Sequence, residues 1–330
     1  MNKKILVLRF SSIGDIVLTT PVIRCLKKQL NAEIHFLTKT SFERILANNP
    51  YIDRLWTFNI TTSEVVAALK QQHFDYVVDL HNNIRTLKLK SQLGVKSSIF
   101  PKLNAQKWLY VNFKLDVMPD VHVVERYFAA VEKLGVKSDG FGLDFFLNSD
   151  DEININQLLP DDFQGGFFTL TLGAQFKTKC LPEAKIKDLL SMLTFPVVLL
   201  GGKEDQELGE RLAALFRGNV VNQAGKLTLG QSASLLKQSR AVIAHDTGLM
   251  HIASAFQKPI ALIWGNTTPK IGMYPYQVKA PVRHFEVANL SCRPCSKIGF
   301  QSCPKKHFKC MEQQDLVQIV SFLNTLVKQH

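Results

Sequence analysis

The chain has 330 residues, 46% of them hydrophobic and 21% charged, the balance of a globular protein and not of a disordered or fibrous one. At about 150 residues per domain the length predicts two domains, and no apolar run reaches the ~20 residues that a bilayer-crossing helix needs. Forty Lys plus Arg against 28 Asp plus Glu give a net charge of +12, which points to an anionic partner: a phosphorylated substrate, an anionic membrane surface or nucleic acid.

In chain order, Lys4 to Phe10 reads as a first strand. Arg9 and Asp15 interrupt what would have to be a continuous signal-peptide core, so the start is expected to stay in a cytoplasmic protein. A turn at Ser11 to Asp15 follows, then a helix-periodic stretch from Ile16 to Leu30 that contains Pro21, which either kinks the helix or starts its regular part. Strand-like runs at Glu33–Leu37, Arg54–Phe58 and Tyr76–Leu80 alternate with helical stretches, which predicts a parallel sheet covered by helices. From Leu80 to Leu115 there are seven basic residues and no acidic one, with Trp108, Leu109, Tyr110, Val111 and Phe113 interleaved among lysines. That pattern suits a surface resting on anionic lipid, or a core-facing aromatic stripe with its lysines turned outward.

Asn148 to Gly166, rich in Asp, Asn, Pro and Gly, reads as a linker and sets the boundary near residue 160. A second α/β series follows. Its strands are expected at Phe167–Leu172, Pro196–Leu200, Ala241–Ala244 and Pro259–Ile263, its helices near Glu183–Leu193, Glu204–Phe216 and Leu229–Lys237. The expected architecture is therefore α/β, with Rossmann-like domains at 1–160 and 161–330 whose parallel sheets face a central cleft. A last helix, Gln313 to Lys328, is free to dock on either. From Lys270 to Cys310 eight basic residues stand against one acid, Glu286.

Neither G-x-G-x-x-G nor G-x-x-x-x-G-K-[ST] occurs, which argues against an NAD enzyme and an NTPase. Chemistry is sought instead in the strand-to-helix turns. Asp15 is either a first-turn acid favourable to the helix dipole or a general base. His245-Asp-Thr-Gly-Leu-Met-His251 opens a helix whose first amides suit a diphosphate, with Asp246 and His251 nearby, or it is an ordinary cap. Lys177 and Lys179 are placed to neutralise phosphate or are solvated, and Glu204, after the Gly201-Gly202 turn, can accept from ribose hydroxyls.

Three stretches taken together, Lys4-Ile-Leu-Val-Leu-Arg-Phe-Ser-Ser-Ile-Gly-Asp-Ile-Val-Leu-Thr-Thr-Pro21, Lys179-Cys-Leu-Pro182 and His245-Asp-Thr-Gly-Leu-Met-His251, resemble the heptosyltransferases of glycosyltransferase family 9. The resemblance implies a GT-B fold and an inverting transfer of heptose from ADP-heptose to the inner core of lipopolysaccharide, with no metal or other cofactor. It implies Asp15 as general base and Lys179 as the cation on the diphosphate. Asp246 matches the ligand of the donor sugar, Thr247 and Gly248 the phosphate-binding amides, and His251 lies beside them. Glu204 matches the ribose partner and Leu227 the side chain on adenine. Ser12, Gly14, His81, Asn82 and Arg85 fall where the family meets its acceptor, an anionic Kdo-bearing and phosphorylated core. The family's Lys-x-Trp-Pro lacks its tryptophan here, Leu181 standing in its place, which keeps a different nucleotide sugar open as donor. The reading requires that Asp15 not be buried in a salt bridge. A basic non-catalytic nucleic-acid-binding protein is the rival of another class, but no stacking surface or recognised module supports nucleic acid as a partner.

Cys292, Cys295, Cys303 and Cys310 fall within 19 residues. They either close a tetrahedral zinc site or remain thiols; the second pair lacks the spacing of a zinc ribbon.

Overall fold

The run Ile5 to Leu8 is buried on both faces, and that two-sided burial places it in the middle of a parallel sheet covered by helices on each side. The computed structural model describes residues 3–327. In it β1 (Lys4–Leu8), β2 (Glu33–Lys39), β3 (Arg54–Phe58), β4 (Tyr76–Asp79) and β5 (Ser97–Ile99) form a parallel sheet in the order β3-β2-β1-β4-β5. Its core includes Leu6, Leu8, Phe10, Leu37, Phe58 and Val77. The stretch expected as one helix from Ile16 is two, Ile13–Val17 and Thr20–Leu30. Pro21 lies in the first turn of the second, where its missing N–H costs nothing, and Asn31, at φ 47°, closes it.

The second sheet is also parallel. It contains β6 (Phe168–Thr171), β7 (Val197–Leu200), β8 (Val220–Asn222), β9 (Ala241–His245), β10 (Ile260–Trp264) and β11 (Val282–Glu286), in the order β11-β10-β9-β6-β7-β8. Helices Glu183–Met192, Gln206–Leu215, Leu229–Gln238 and Gly248–Ala255 accompany it. The final helix spans Leu316–Val327, with the expected Lys328 outside the described residues, and contributes Leu316, Ile319, Leu323 and Leu326 to this sheet's core.

Contacts divide the chain into two bodies, but not by one cut near 160. Residues 3–103 join Val121–Phe146, whereas Asn104–Asp120 joins residues 147–327. Side chains explain both exchanges. Buried Arg24 donates to Asp139 at 2.8 Å and to Asp144, drawing the 139–144 segment onto the first body. Lys114 Nζ donates to the Pro294 carbonyl at 2.6 Å, and Lys270 pairs with Asp116, which ties residues 104–120 to the second. The expected linker is not loose. The Ile153 N–H donates to Ser234 Oγ at 2.9 Å, Gln238 donates back to the Ile153 carbonyl, and Phe163 is buried.

Candidate active site

In the first body the turn after β1 is built around Arg9. One guanidinium nitrogen donates to the Leu80 carbonyl at 2.6 Å, Nε donates to the Ser11 carbonyl at 2.7 Å, and Nη2 lies 2.7 Å from Asp15 Oδ1. Arg9 thus joins the carboxyl ends of β1 and β4 to the first helical turn. Burial opposes its charge, but Asp15 beside it, together with Tyr127 and Asp79, raises its pKa overall. Asp15 Oδ2 accepts from Ser12 Oγ at 2.8 Å and from the Ser12 N–H at 3.3 Å. Its side chain is 24% exposed, so the carboxylate is ion-paired without being sealed in the core. Gly14 is buried in the same turn.

The turn after β4 rests on Asp79, which is buried. Asp79 Oδ1 accepts from the N–H groups of His81 and Asn82, and Lys90 Nζ lies 2.8 Å from Oδ2. Burial, with the charges of Arg9, Lys102 and Arg85, pushes His81 down to about 4, so its imidazole is neutral near pH 7. The Arg85 guanidinium lies 5.7 Å from the centre of the Phe10 ring. The structure therefore brings Ser12, Gly14, Asp15, His81 and Arg85 together at one end of the first sheet.

In the second body the loop after β6 folds back on the loop after β9. Lys179 Nζ is 2.6 Å from Asp246 Oδ2, with side chains only 14% and 11% exposed. Thr267, in the turn after β10, donates its hydroxyl to the same oxygen at 3.0 Å. Fully buried His245, pushed by desolvation down to about 4, accepts from the Leu181 N–H through Nε2 at 3.0 Å. Leu181, at the position of the missing tryptophan, is buried in the core of this body. Thr247 is the extended N-cap of helix Gly248–Ala255, whose first amides have no partner within the helix and carry its positive end. His251 is buried in that helix.

Glu204 is exposed after β7. Its neighbour Asp205 is the half-buried acid, with Oδ2 accepting from the Gly202 N–H at 2.9 Å. A Cβ on Gly173 would stand 2.0 Å from Asp205 Oδ2, and one on Gly201 2.6 Å, so those two glycines make room for the carboxylate. Leu227 is half-buried in the turn after β8. A cleft of about 620 Å³ beside Lys177 and Thr178 is bounded by Gln301, Lys306 and Phe308; Lys179, Asp246 and Gly248 do not line it.

Arg9, His245 and Thr267 were not singled out by sequence reasoning. Arg9 left a signal as a cation placed directly after the apolar run Ile5 to Leu8, and His245 as the first residue of the motif that ends at His251; Thr267 left none.

Residues 63–305 match the family model for glycosyltransferase family 9 (heptosyltransferase). The chain belongs to this family. Lipopolysaccharide heptosyltransferase 1 of Campylobacter coli is 25% identical over 297 residues, covering 80% of this chain and 84% of the relative. A family 9 glycosyl transferase from Veillonella parvula superposes with a TM-score of 0.81 at 20% identity, over 100% of this chain and 98% of the other. The ADP-heptose lps heptosyltransferase II of E. coli gives 0.73 at 19% identity, over 99% of each chain. The fold is GT-B, two Rossmann-like parallel α/β bodies, and the protein is a glycosyltransferase of the heptosyltransferase family.

All six cysteines are free, and among the described residues no group of three or more His, Cys, Asp or Glu side chains is placed to hold a metal ion. Burial pushes Cys295 up to about 12 and Cys310 up to about 11. Helix Asn104–Phe113 has no buried residue; Trp108 and Phe113 are 57% and 59% exposed, their rings edge to face at 5.2 Å. The aromatics of this stretch are therefore not a core stripe.

Proposed function

We propose that the protein transfers heptose from ADP-heptose to the inner core of lipopolysaccharide, with inversion at the anomeric carbon. The observation that carries this reading is the convergence of Lys179 and Asp246 at the N-terminus of helix Gly248–Ala255, a cation, an acid and free helix amides arranged as a diphosphate and a sugar require. In this reading an acceptor hydroxyl attacks the anomeric carbon and gives its proton to Asp15. The bond from that carbon to the phosphate oxygen breaks, and its electron pair leaves with ADP.

Lys179 and the Thr247 and Gly248 amides meet the charge that builds on the departing diphosphate. Asp246 holds the donor sugar, Glu204 the ribose and Leu227 the adenine, with His251 supporting the phosphate turn. Ser12, Gly14, His81 and Arg85 receive the acceptor, whose phosphates and Kdo carboxylates suit the cations Arg9, Arg85 and Lys102 gathered near His81. No metal ion enters the step, so a chelator leaves turnover unchanged. The exposed Trp108 and Phe113, flanked by Lys107 and Lys114, hold the enzyme against the anionic cytoplasmic face of the membrane.

Mass spectrometry of lipopolysaccharide from cells lacking the protein tests the assignment. The core is expected to end one heptose short, and an unchanged core would refute it.

A further inference from the structure

The turn after β10 contains a group that the fold leaves unused. Asn266 is 2% exposed, and its backbone is held on both sides: its N–H donates to the Thr178 carbonyl at 3.4 Å, and its carbonyl accepts from the Cys295 N–H at 3.1 Å. The approach is close enough that a Cβ on the preceding Gly265 would stand 2.4 Å from the Thr178 carbonyl oxygen. The side-chain amide, by contrast, has no hydrogen-bond partner within the protein on either its oxygen or its nitrogen. Burying an amide that makes no bond destabilises a fold, and buried polar groups are nearly always satisfied.

Its backbone partner and its chain neighbour both lead to the proposed donor site. Thr178, which Asn266 contacts, precedes Lys179. Thr267, which follows Asn266, donates to Asp246. The Thr247 hydroxyl is likewise buried without a hydrogen-bond partner. An amide offers one acceptor and two donors at a fixed spacing, which is the complement of neighbouring hydroxyls on a sugar ring.

We propose that Asn266 is a specificity-determining residue that reads the donor sugar, its carbonyl accepting from one sugar hydroxyl and its amide nitrogen donating to a neighbouring one. The assignment rests on reading the second body as the nucleotide-sugar unit. It differs from a structural role in the sign of its effect on stability. Leucine has the same branched shape as asparagine, so Asn266→Leu removes an unsatisfied buried amide and keeps or raises the melting temperature, while sugar recognition is lost.

The test is calorimetry of ADP and of ADP-heptose against wild type, Asn266→Leu and Asn266→Ala, with thermal unfolding of each. ADP is expected to bind all three within about twofold, ADP-heptose to lose about tenfold or more in both variants, and Asn266→Leu to melt no lower than wild type. The alanine variant supplies the binding comparison should leucine not be accommodated. Unchanged ADP-heptose affinity, or equal losses for ADP and ADP-heptose, would overturn the Asn266 assignment alone. Failure of wild type to bind ADP would remove the donor-site reading and this proposal with it.

Discussion

Lys179 Nζ and Asp246 Oδ2 lie 2.6 Å apart, although 67 residues separate them in the chain. The pair is largely shielded from water, so each charge depends on the other, and removing one partner strands the second. Lys179→Met is therefore expected to lower both ADP affinity, by about tenfold or more, and the melting temperature. Adding Asp246→Asn restores stability, because the stranded carboxylate is gone, but not ADP binding. Calorimetry and thermal unfolding of both variants check this; full ADP affinity in Lys179→Met would exclude the lysine from the diphosphate.

The Asp15 carboxylate is held by Arg9 and Ser12 and keeps access to solvent. Asp15→Asn preserves the shape of the turn and removes the base. Turnover is expected to fall by about 10²-fold or more, with ADP affinity unchanged. Wild-type turnover would assign Asp15 to the turn alone.

His245 links acidity to the donor loop. The unfolded chain takes up its proton as pH falls past about 6.5, the folded chain only near 4, so the stability His245 contributes is present above 6.5 and lost on descent through that interval. His81, also pushed down to about 4, acts in the same direction. Protonated His245 cannot accept from the Leu181 N–H, which releases the loop carrying Lys179. Melting temperature and ADP affinity are both expected to decline from pH 6.5 toward 4. The decline in stability should be shallower in His245→Gln, which keeps an acceptor. A pH profile identical to wild type in that variant would show that His245 is not the group responsible.

Much of the scaffold was legible in the sequence because its central strands are continuous apolar runs: β1, β6, β7, β9 and β10 fall within about two residues of expectation. The edges were not. Ser97–Ile99 and Val220–Asn222, of three residues each, are too short to stand out, and Val282–Glu286, at the sheet's edge, buries only Phe285 among Arg283, His284 and Glu286. The motif residues were legible one by one; their partners were not. Nothing local in Asp246-Thr-Gly forecasts Lys179 and Thr267 on one of its oxygens, since those contacts come from sheet order, in which β9 lies between β6 and β10. The exchange of residues 104–120 between the two bodies depends likewise on Lys114 and Lys270 reaching remote groups.

Helix Asn104–Phe113 exposes two aromatics beside lysines. Sedimentation with vesicles containing anionic lipid is expected to bring the protein down at low salt, less so as salt rises, and to weaken in Trp108→Ala and Phe113→Ala. No binding at any salt concentration would remove the membrane-contact proposal.

The most direct measurement is a purified reaction. The protein is incubated with ADP-heptose and a deacylated, heptose-free lipopolysaccharide core, and the products are weighed by mass spectrometry. The account predicts an acceptor heavier by one heptosyl residue, with one ADP released per transfer. An acceptor left unchanged by ADP-heptose but extended by another nucleotide sugar, or by none, would contradict it.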